Sequence, residues 1–230
     1  MRTLLESVYF GIVLSIVAYW IGTKIQKKTG LVVCNNLVIA GLLIVAVLKI
    51  FNIPYDAYNQ GGSLINMFLV PATACLAVTI YSKIDLLKKY WIPVVVGCTV
   101  GVITSVASVL TMCRLFGLDR EMTMSLLPKS VTTPIASAVA EGNGGIVSIA
   151  VAAVIFTGIL GNLSGPAMTR LFRVKEPMAV GLAMGACSHA MGTAKALEMG
   201  ETEGAMSGLA MGLCGLITAV AALSFQYLVP

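Results

Sequence analysis

The chain has 230 residues, 58% of them hydrophobic and 11% charged, with a mean hydropathy of +0.94. A soluble domain carries about 25% charged residues, so the composition excludes a water-exposed globule and selects an all-α protein embedded in lipid. The net charge of +5 is spread over short clusters between apolar runs, which excludes nucleic acid as the partner.

Spanning helices need about 20 mostly apolar residues. Stretches 7–23, 30–48, 57–82, 90–113, 142–169, 177–194 and 204–230 approach or exceed that length without a charge. The first carries only Arg2 and Glu6 before it and no small-x-small site before Lys24, so it is expected to stay as a helix rather than be cleaved. The expectation is about seven transmembrane helices in one integral domain, 1–230. Six cysteines lie in or beside these runs without CxxC or Cys/His spacing; they are expected to pack, and neither a metal nor another cofactor is implied.

Between the fourth and fifth runs, segment 122–141 is apolar but interrupted by Pro128, Lys129, Ser130, Thr132, Thr133 and Pro134. Basic residues mark the cytoplasmic side. The clusters Lys24, Lys27, Lys28, then Lys83, Lys88, Lys89, then Arg170, Arg173, Lys175 all fall inside only if the N-terminus is outside and 122–141 is re-entrant. Re-entrant backbone is tolerated where protein buries it or it lines a wet cavity. On this reading 178–198 crosses outward, taking Glu198, Glu201 and Glu203 to the exterior, and 204–228 returns the C-terminus inside.

A long span, an interrupted segment and a glycine-bearing span occur twice, at 31–113 and 146–228, with Pro71 to Ala74 matching His189 to Ala194. The two copies have opposite orientation. Inverted repeats of this kind are a recurring plan of secondary transporters, although apolar helices also resemble one another by chance.

Two stretches place polar groups where lipid penalises them. Pro128 and Pro134 break the helix twice and free backbone groups around Lys129, Ser130, Thr132 and Thr133. That combination suits a small organic anion, held by charge, hydroxyls and the helix N-terminus after Pro134; the bland alternative is a loop with Lys129 snorkelling. The second stretch runs from Gly185 to Glu198. Ser188, Gly192 and Lys195 share a helical face, Thr193 adds a hydroxyl, and Lys195 and Glu198 are spaced to pair. His189, the only histidine, either carries a coupling proton or bonds two packed helices, with Glu198 as a further coupling or gating candidate. Gly181, Gly185 and Gly192 permit close packing. Asn35, Asn36 and Thr73 are weaker candidates for the pathway, and equally for interhelical glue. Neighbouring Ser188 and His189 point about 100° apart on a helix, and no hydrolase motif occurs, so no enzyme is expected.

These residues resemble the LrgB/CidB family of bacterial membrane proteins. The likeness rests on Leu127-Pro128-Lys129-Ser130-Val131-Thr132-Thr133-Pro134-Ile135-Ala136 and on Ser188-His189-Ala190-Met191-Gly192-Thr193-Ala194-Lys195-Ala196-Leu197-Glu198. It continues in Gly144-Gly145-Ile146, Thr157-Gly158-Ile159, Gly165-Pro166, Gly181 to Gly185, Gly204 to Ser207 and Pro71-Ala72-Thr73, and covers essentially the whole chain. Thr79-Ile80 and Lys195, where the family often has arginine, depart from the pattern without changing its character. The resemblance implies a multi-pass protein of the bacterial cytoplasmic membrane and two functional traditions. One is an antiholin-like regulator of murein hydrolase export and autolysis, acting with a small holin-like partner of LrgA/CidA type. The other is a carrier of small carboxylates, related to the plastid glycolate/glycerate transporter and to pyruvate uptake systems. A pore former has no need of a Pro-broken Lys-Ser-Thr-Thr pocket, so the residues favour a carboxylate carrier, with proton coupling and a homo-oligomer both open.

Overall fold

The structure, a computed structural model, describes residues 7–30, 36–68, 71, 78, 81 and 84–228. Among these residues the chain is helical with no strand. The helices are α1 (Val8–Thr29), α2 (Asn36–Ile50), α3 (Tyr55–Met67), α4 (Ile84–Lys89), α5 (Trp91–Leu115), α6 (Arg120–Leu126), α7 (Thr133–Gly142), α8 (Val147–Leu171), α9 (Pro177–Met199), α10 (Glu201–Ala222) and α11 (Phe225–Leu228). Four of them, α1, α5, α8 and α10, are long and apolar enough to cross a membrane. The protein is an all-helical, multi-pass membrane protein. Large apolar side chains point outward along these helices, such as Val100 and Ile103 on α5, Phe156 and Leu160 on α8, and Leu216 and Val220 on α10. That surface is costly in water and costs nothing in hydrocarbon.

The chain forms two compact units, 1–72 and 73–230. In the first, α1 packs on α2 and α3. Its crossing with α3 is a backbone-to-backbone contact at Gly11 and Gly61, where any added Cβ would run into main-chain atoms of the other helix. Ser15 Oγ and Tyr58 Oη share a hydrogen bond of 2.9 Å one turn further along. Gln26 Oε1 accepts the Asn36 N–H at 3.0 Å and ties the start of α2 to the end of α1.

The second unit is built around α5, α8 and α10. Val94, Cys98 and Val102 of α5 pack on Met206, Leu209, Ala210 and Cys214 of α10, with Tyr90 and Met178 closing the same end. At the other end Val109 and Cys113 meet Met124, Val139, Ala222 and Phe225. Trp91, Pro177 and Glu201 therefore start their helices at one end of the unit. The basic residues at 88–89 and 170–175 adjoin those starts, so two of the clusters expected to be cytoplasmic do share one end.

Two expectations are corrected. Segment 177–194 is not a span: α9 is broken at Ser188 (φ −135°, ψ 16°) and His189 (φ 42°, ψ −134°), and the chain turns back on itself. Val180, Met184 and Ala196 form one buried cluster, and Gly192 sits on the Met184 carbonyl. Each arm has about 10 residues and reaches about 16 Å at 1.5 Å per residue, half of a 30 Å hydrocarbon core. Hydropathy could not see the reversal because both arms are apolar. Gly181 consequently lies against Glu203, and Leu197 against Gly204, so Glu198, Glu201 and Glu203 return to the end that carries Arg170 to Lys175. The last helix then runs away from the basic clusters, and its terminal apolar run stops at Ala222, before the short turn of α11. The C-terminal residues sit at the end opposite those clusters, not beside them. Thr73 and most of 63–82, the middle of the first expected repeat, fall outside the described residues.

The α1–α3 crossing gives a direct stability test. Gly61→Val should lower the melting temperature in detergent by the equivalent of roughly 1–3 kcal/mol, the usual cost of overpacking. Gly41→Ala, where nothing lies within 4 Å, should be neutral or raise it by up to about 1 kcal/mol.

Candidate solute site

Two hairpins approach the middle of the second unit from opposite ends. The first is α6, the non-helical stretch 127–132, and α7. Ser125 closes its base: the hydroxyl donates to Glu121 O at 2.7 Å and accepts the Ile146 N–H at 2.7 Å, bringing the exit of α7 back beside the entry of α6. Met124 packs level with Cys113, but Ser130 reaches Ser105, well along α5. The hairpin's entering arm thus runs antiparallel to α5. The second hairpin is α9, whose entering arm runs parallel to α5, with Leu182 near Gly97 and Ala186 near Gly101. Its tip lies against the middle of α8. Ser188 rests on Gly161, and His189 Nε2 lies 3.0 Å from Val154 O. Val154 also packs on Val131 and Ala136 of the first hairpin. The two interruptions singled out in the sequence therefore meet halfway along the long helices.

The breaks have local causes. Pro128 and Pro134 lack the N–H groups a helix would need, and Pro134 sits where proline is tolerated, in the first turn of α7. At the other tip, His189 holds a positive φ that β-carbon-bearing residues avoid, at a cost of order 1–3 kcal/mol. Three bonds hold it there: Nε2–H to Val154 O, Thr193 Oγ1–H to His189 O at 2.9 Å, and Asn162 Nδ2–H to Met191 O at 3.0 Å.

At the first tip, Lys129 is partly buried and its Nζ donates to Ser130 Oγ at 3.3 Å. Ser130 Oγ also pairs with Ser105 Oγ at 2.8 Å. Lys129 borders an open apolar groove that runs past Val109 and Leu126 toward the exposed Met112, Phe116 and Leu118 at the end of α5, away from the second tip. On the other side of Ser130 is a narrow cleft reaching Ala186, Cys214 and Thr218, with room for about one water. Thr132 is buried, and its Oγ1 has no partner among the described residues. Thr133 begins α7.

Ser188 and His189 are 2% and 4% exposed, and Thr193 Oγ1 adds a 2.9 Å contact to Ser207 Oγ on α10. Gly192 is the close-packing point of the hairpin rather than a polar contact. Lys195 and Glu198 do form the expected pair, at 2.8 Å. They sit at the hairpin's mouth, with Glu198 well exposed, and are not brought to the tips. Asn36 belongs to the first unit, where it starts α2; Thr73 and Asn35 are not among the described residues. Cys98, Cys113 and Cys214 are buried as expected of packing residues, whereas Cys187, next to the second tip, is exposed. Among the described residues no cluster of His, Cys, Asp or Glu is placed to hold a metal.

Sequence reasoning missed Ser105, Asn162, Ser207 and Thr218, the polar residues that the long helices present to the tips. Asn162 had a usable signal. It is an amide in the interior of a charge-free span, four residues before Pro166, which deprives its carbonyl of the normal helical donor. Its Oδ1 is also buried, without a partner among the described residues.

The family model described as LrgB-like matches residues 15–227. Antiholin-like protein LrgB of Bacillus mycoides (strain KBAB4) is 41% identical over 213 residues, covering 92% of this chain and 93% of that protein. The proteins of the same name from Bacillus cereus (strain B4264) and Bacillus anthracis (strain CDC 684 / NRRL 3495) match to the same extent. No solved structure matches significantly.

The tip geometry predicts an order of stabilities. His189→Ala loses the Val154 bond and keeps the positive φ, while His189→Gly loses the bond but relaxes the backbone. The glycine variant should be the more stable of the two by about 1 kcal/mol or more, read as the difference in detergent melting temperatures. Equal melting temperatures would mean that the backbone at His189 is not strained.

Proposed function

Because this chain belongs to the LrgB-like family, we propose that it is a carrier of small carboxylates such as pyruvate, glycolate or glycerate in the bacterial cytoplasmic membrane. The observation that carries this reading is the meeting of two opposed hairpin tips at half depth, each beginning a return helix there. α7 opens at Thr133 and the returning arm of α9 opens just after His189. Helix N-termini present free N–H groups and a positive dipole end, which favours an anion. Lys129 adds a full charge, and Ser130 and the unpartnered Thr132 hydroxyl add hydrogen bonds. Broken helices whose ends meet inside the protein are the usual substrate seat of secondary transporters.

In this reading Lys129 neutralises the carboxylate, Ser130 and Thr132 orient it, and Ser188 and Thr193 line the opposing tip. His189 bonds a backbone carbonyl with Nε2 and leaves Nδ1 for a coupling proton. Lys195 and Glu198, at the mouth, act on entry rather than on binding. A small membrane partner of LrgA/CidA type and a homo-oligomer belong to the same proposal.

A second reading is favoured by the names of the relatives, which are called antiholin-like. Here the protein regulates export of murein hydrolases and autolysis through a holin-like partner, and the buried polar breaks serve conformational change rather than solute binding. Proteoliposome uptake separates the two. The carrier reading expects saturable uptake of labelled pyruvate or glycolate, enhanced by an inward proton gradient if His189 couples. It also expects Lys129→Gln to reduce uptake at least tenfold while inserting normally. Absence of any uptake, with a leak appearing only when the partner is co-reconstituted, would favour the regulator. Wild-type kinetics in the Lys129→Gln variant would remove that residue from the site.

A further inference from the structure

α5 and α8 are each 25 residues long, and each ends in Met-x-Arg-Leu-Phe, at Met112 to Phe116 and Met168 to Phe172. The next residue is left-handed in both, Gly117 at φ 63° and Arg173 at φ 54°. The same three bonds close both ends. Phe116, Gly117 and Leu118 donate to Met112, Arg114 and Cys113 at 3.0, 3.2 and 2.9 Å. Phe172, Arg173 and Val174 donate to Met168, Arg170 and Thr169 at 2.9, 3.1 and 2.9 Å. The end of α2 makes this pattern too, at Phe51 to Ile53, so the cap alone is a helix stop.

The likeness of α5 and α8 extends past their caps. Each of the two spans leads into a hairpin with a serine at its tip, Ser130 and Ser188, 58 residues apart. At the same offset Ala136 matches Ala194, Ala138 matches Ala196 and Gly142 matches Gly200. One residue further out of step, Gly145 and Ser148 match Gly204 and Ser207 at the start of the next helix. The contacts agree. Ser130 touches Ser105 on its preceding span, and Ser188 touches Gly161 on its own. Ser105 and Gly161 are 56 residues apart, the offset of the two caps. Tip serine and span residue therefore meet at the same register in both segments.

We propose that 91–142 and 147–199 are inverted copies of one span-plus-hairpin unit, and that each hairpin gates the mid-depth site toward the face it enters from. The inversion follows from counting. A span crosses once and a hairpin does not cross, so each copy hands the next one over on the opposite face. The observed entry directions, antiparallel and parallel to α5, are those the count requires. These boundaries replace the pairing of 31–113 with 146–228. Only the gating half rests on the carrier reading.

The test uses the full chain with Cys34, Cys75 and the exposed Cys187 changed to serine, keeping the buried Cys98, Cys113 and Cys214. Glu141→Cys and Glu198→Cys, at equivalent hairpin exits and both exposed, are labelled with a membrane-impermeant maleimide in right-side-out and inverted vesicles. Glu121→Cys and Glu201→Cys, also exposed, serve if either fails to insert. The expected result is at least tenfold faster labelling of the first hairpin's position from outside and of the second's from inside. Labelling of both from one face overturns the inversion, whatever the uptake assay gives. Opposite labelling, where the unsubstituted chain takes up no carboxylate, leaves the inversion standing and removes the carrier. For gating, Ser130→Cys and Ser188→Cys should be reached by a small methanethiosulfonate reagent from opposite faces. Access to both from a single face, or to neither, overturns it.

Discussion

A peptide group inside hydrocarbon has no water to bond, so a spanning helix can be interrupted only where protein supplies the missing partners. Both interruptions of the second unit obey this. The turn at Ser188 and His189 is bonded by Val154 O, Thr193 and Asn162. The loop at 127–132 is backed by Ser105 on α5 and by packing against Val154. Neither break would survive facing lipid, and the three long helices exist, in structural terms, to keep lipid away from them. Their outer faces are plainly apolar, and their inner faces carry Ser105, Asn162, Ser207 and Thr218.

That shielding also leaves unmet bonds in the centre. Among the described residues, Thr132 Oγ1 and Asn162 Oδ1 are buried without partners, and Pro166 withholds a donor from the Asn162 carbonyl. An unsatisfied buried polar group costs about 1–3 kcal/mol, which Asn162 offsets in part through its Nδ2–H bond to Met191 O. In the proposed carrier reading, these groups, near the start of two return helices and a half-buried lysine, are the ones a bound anion would satisfy. The cleft beside Ser130 is narrow, with room for about one water, and neither hairpin is long enough to span.

How much of this was legible beforehand differs from one element to the next. Composition alone gave the class, and hydropathy found α1, α5, α8 and α10, because a long apolar helix is visible to any window of its own length; it stopped α1 short at 23 instead of Thr29 and ran α10 past Ala222. Pro128 and Pro134 made the first hairpin readable, since proline breaks helices for a local reason. The second hairpin was hidden. Its reversal sits at Ser188 and His189, with no proline or glycine at the turn, and is imposed by partners on α8 and inside the returning arm. Lys195 looked like a site residue on a continuous helix; once the helix folds back, the same spacing carries it to the mouth. The inner-face polar residues were invisible for another reason. A single serine or threonine in a span bonds its own helix as readily as a neighbour, and only packing decides which.

Charge, finally, constrained the topology more tightly than hydropathy did. With α9 read as a crossing, the acidic residues Glu198, Glu201 and Glu203 stood opposite Arg170 to Lys175. With α9 as a hairpin, both groups lie at one end, next to Lys88 and Lys89. Lys and Arg set orientation and acidic residues contribute little, so the 88–89 and 170–175 clusters still share one end, as expected, while the acidic residues move to join them. One correction in a turn of two residues thus reverses the last helix, carries the C-terminal residues to the other face, and leaves the agreement between the 88–89 and 170–175 clusters intact. The positive charges survive the correction because α5, the first hairpin and α8 lie between them, and the hairpin adds no crossing. The same rule of counting makes two successive span-plus-hairpin segments point in opposite directions.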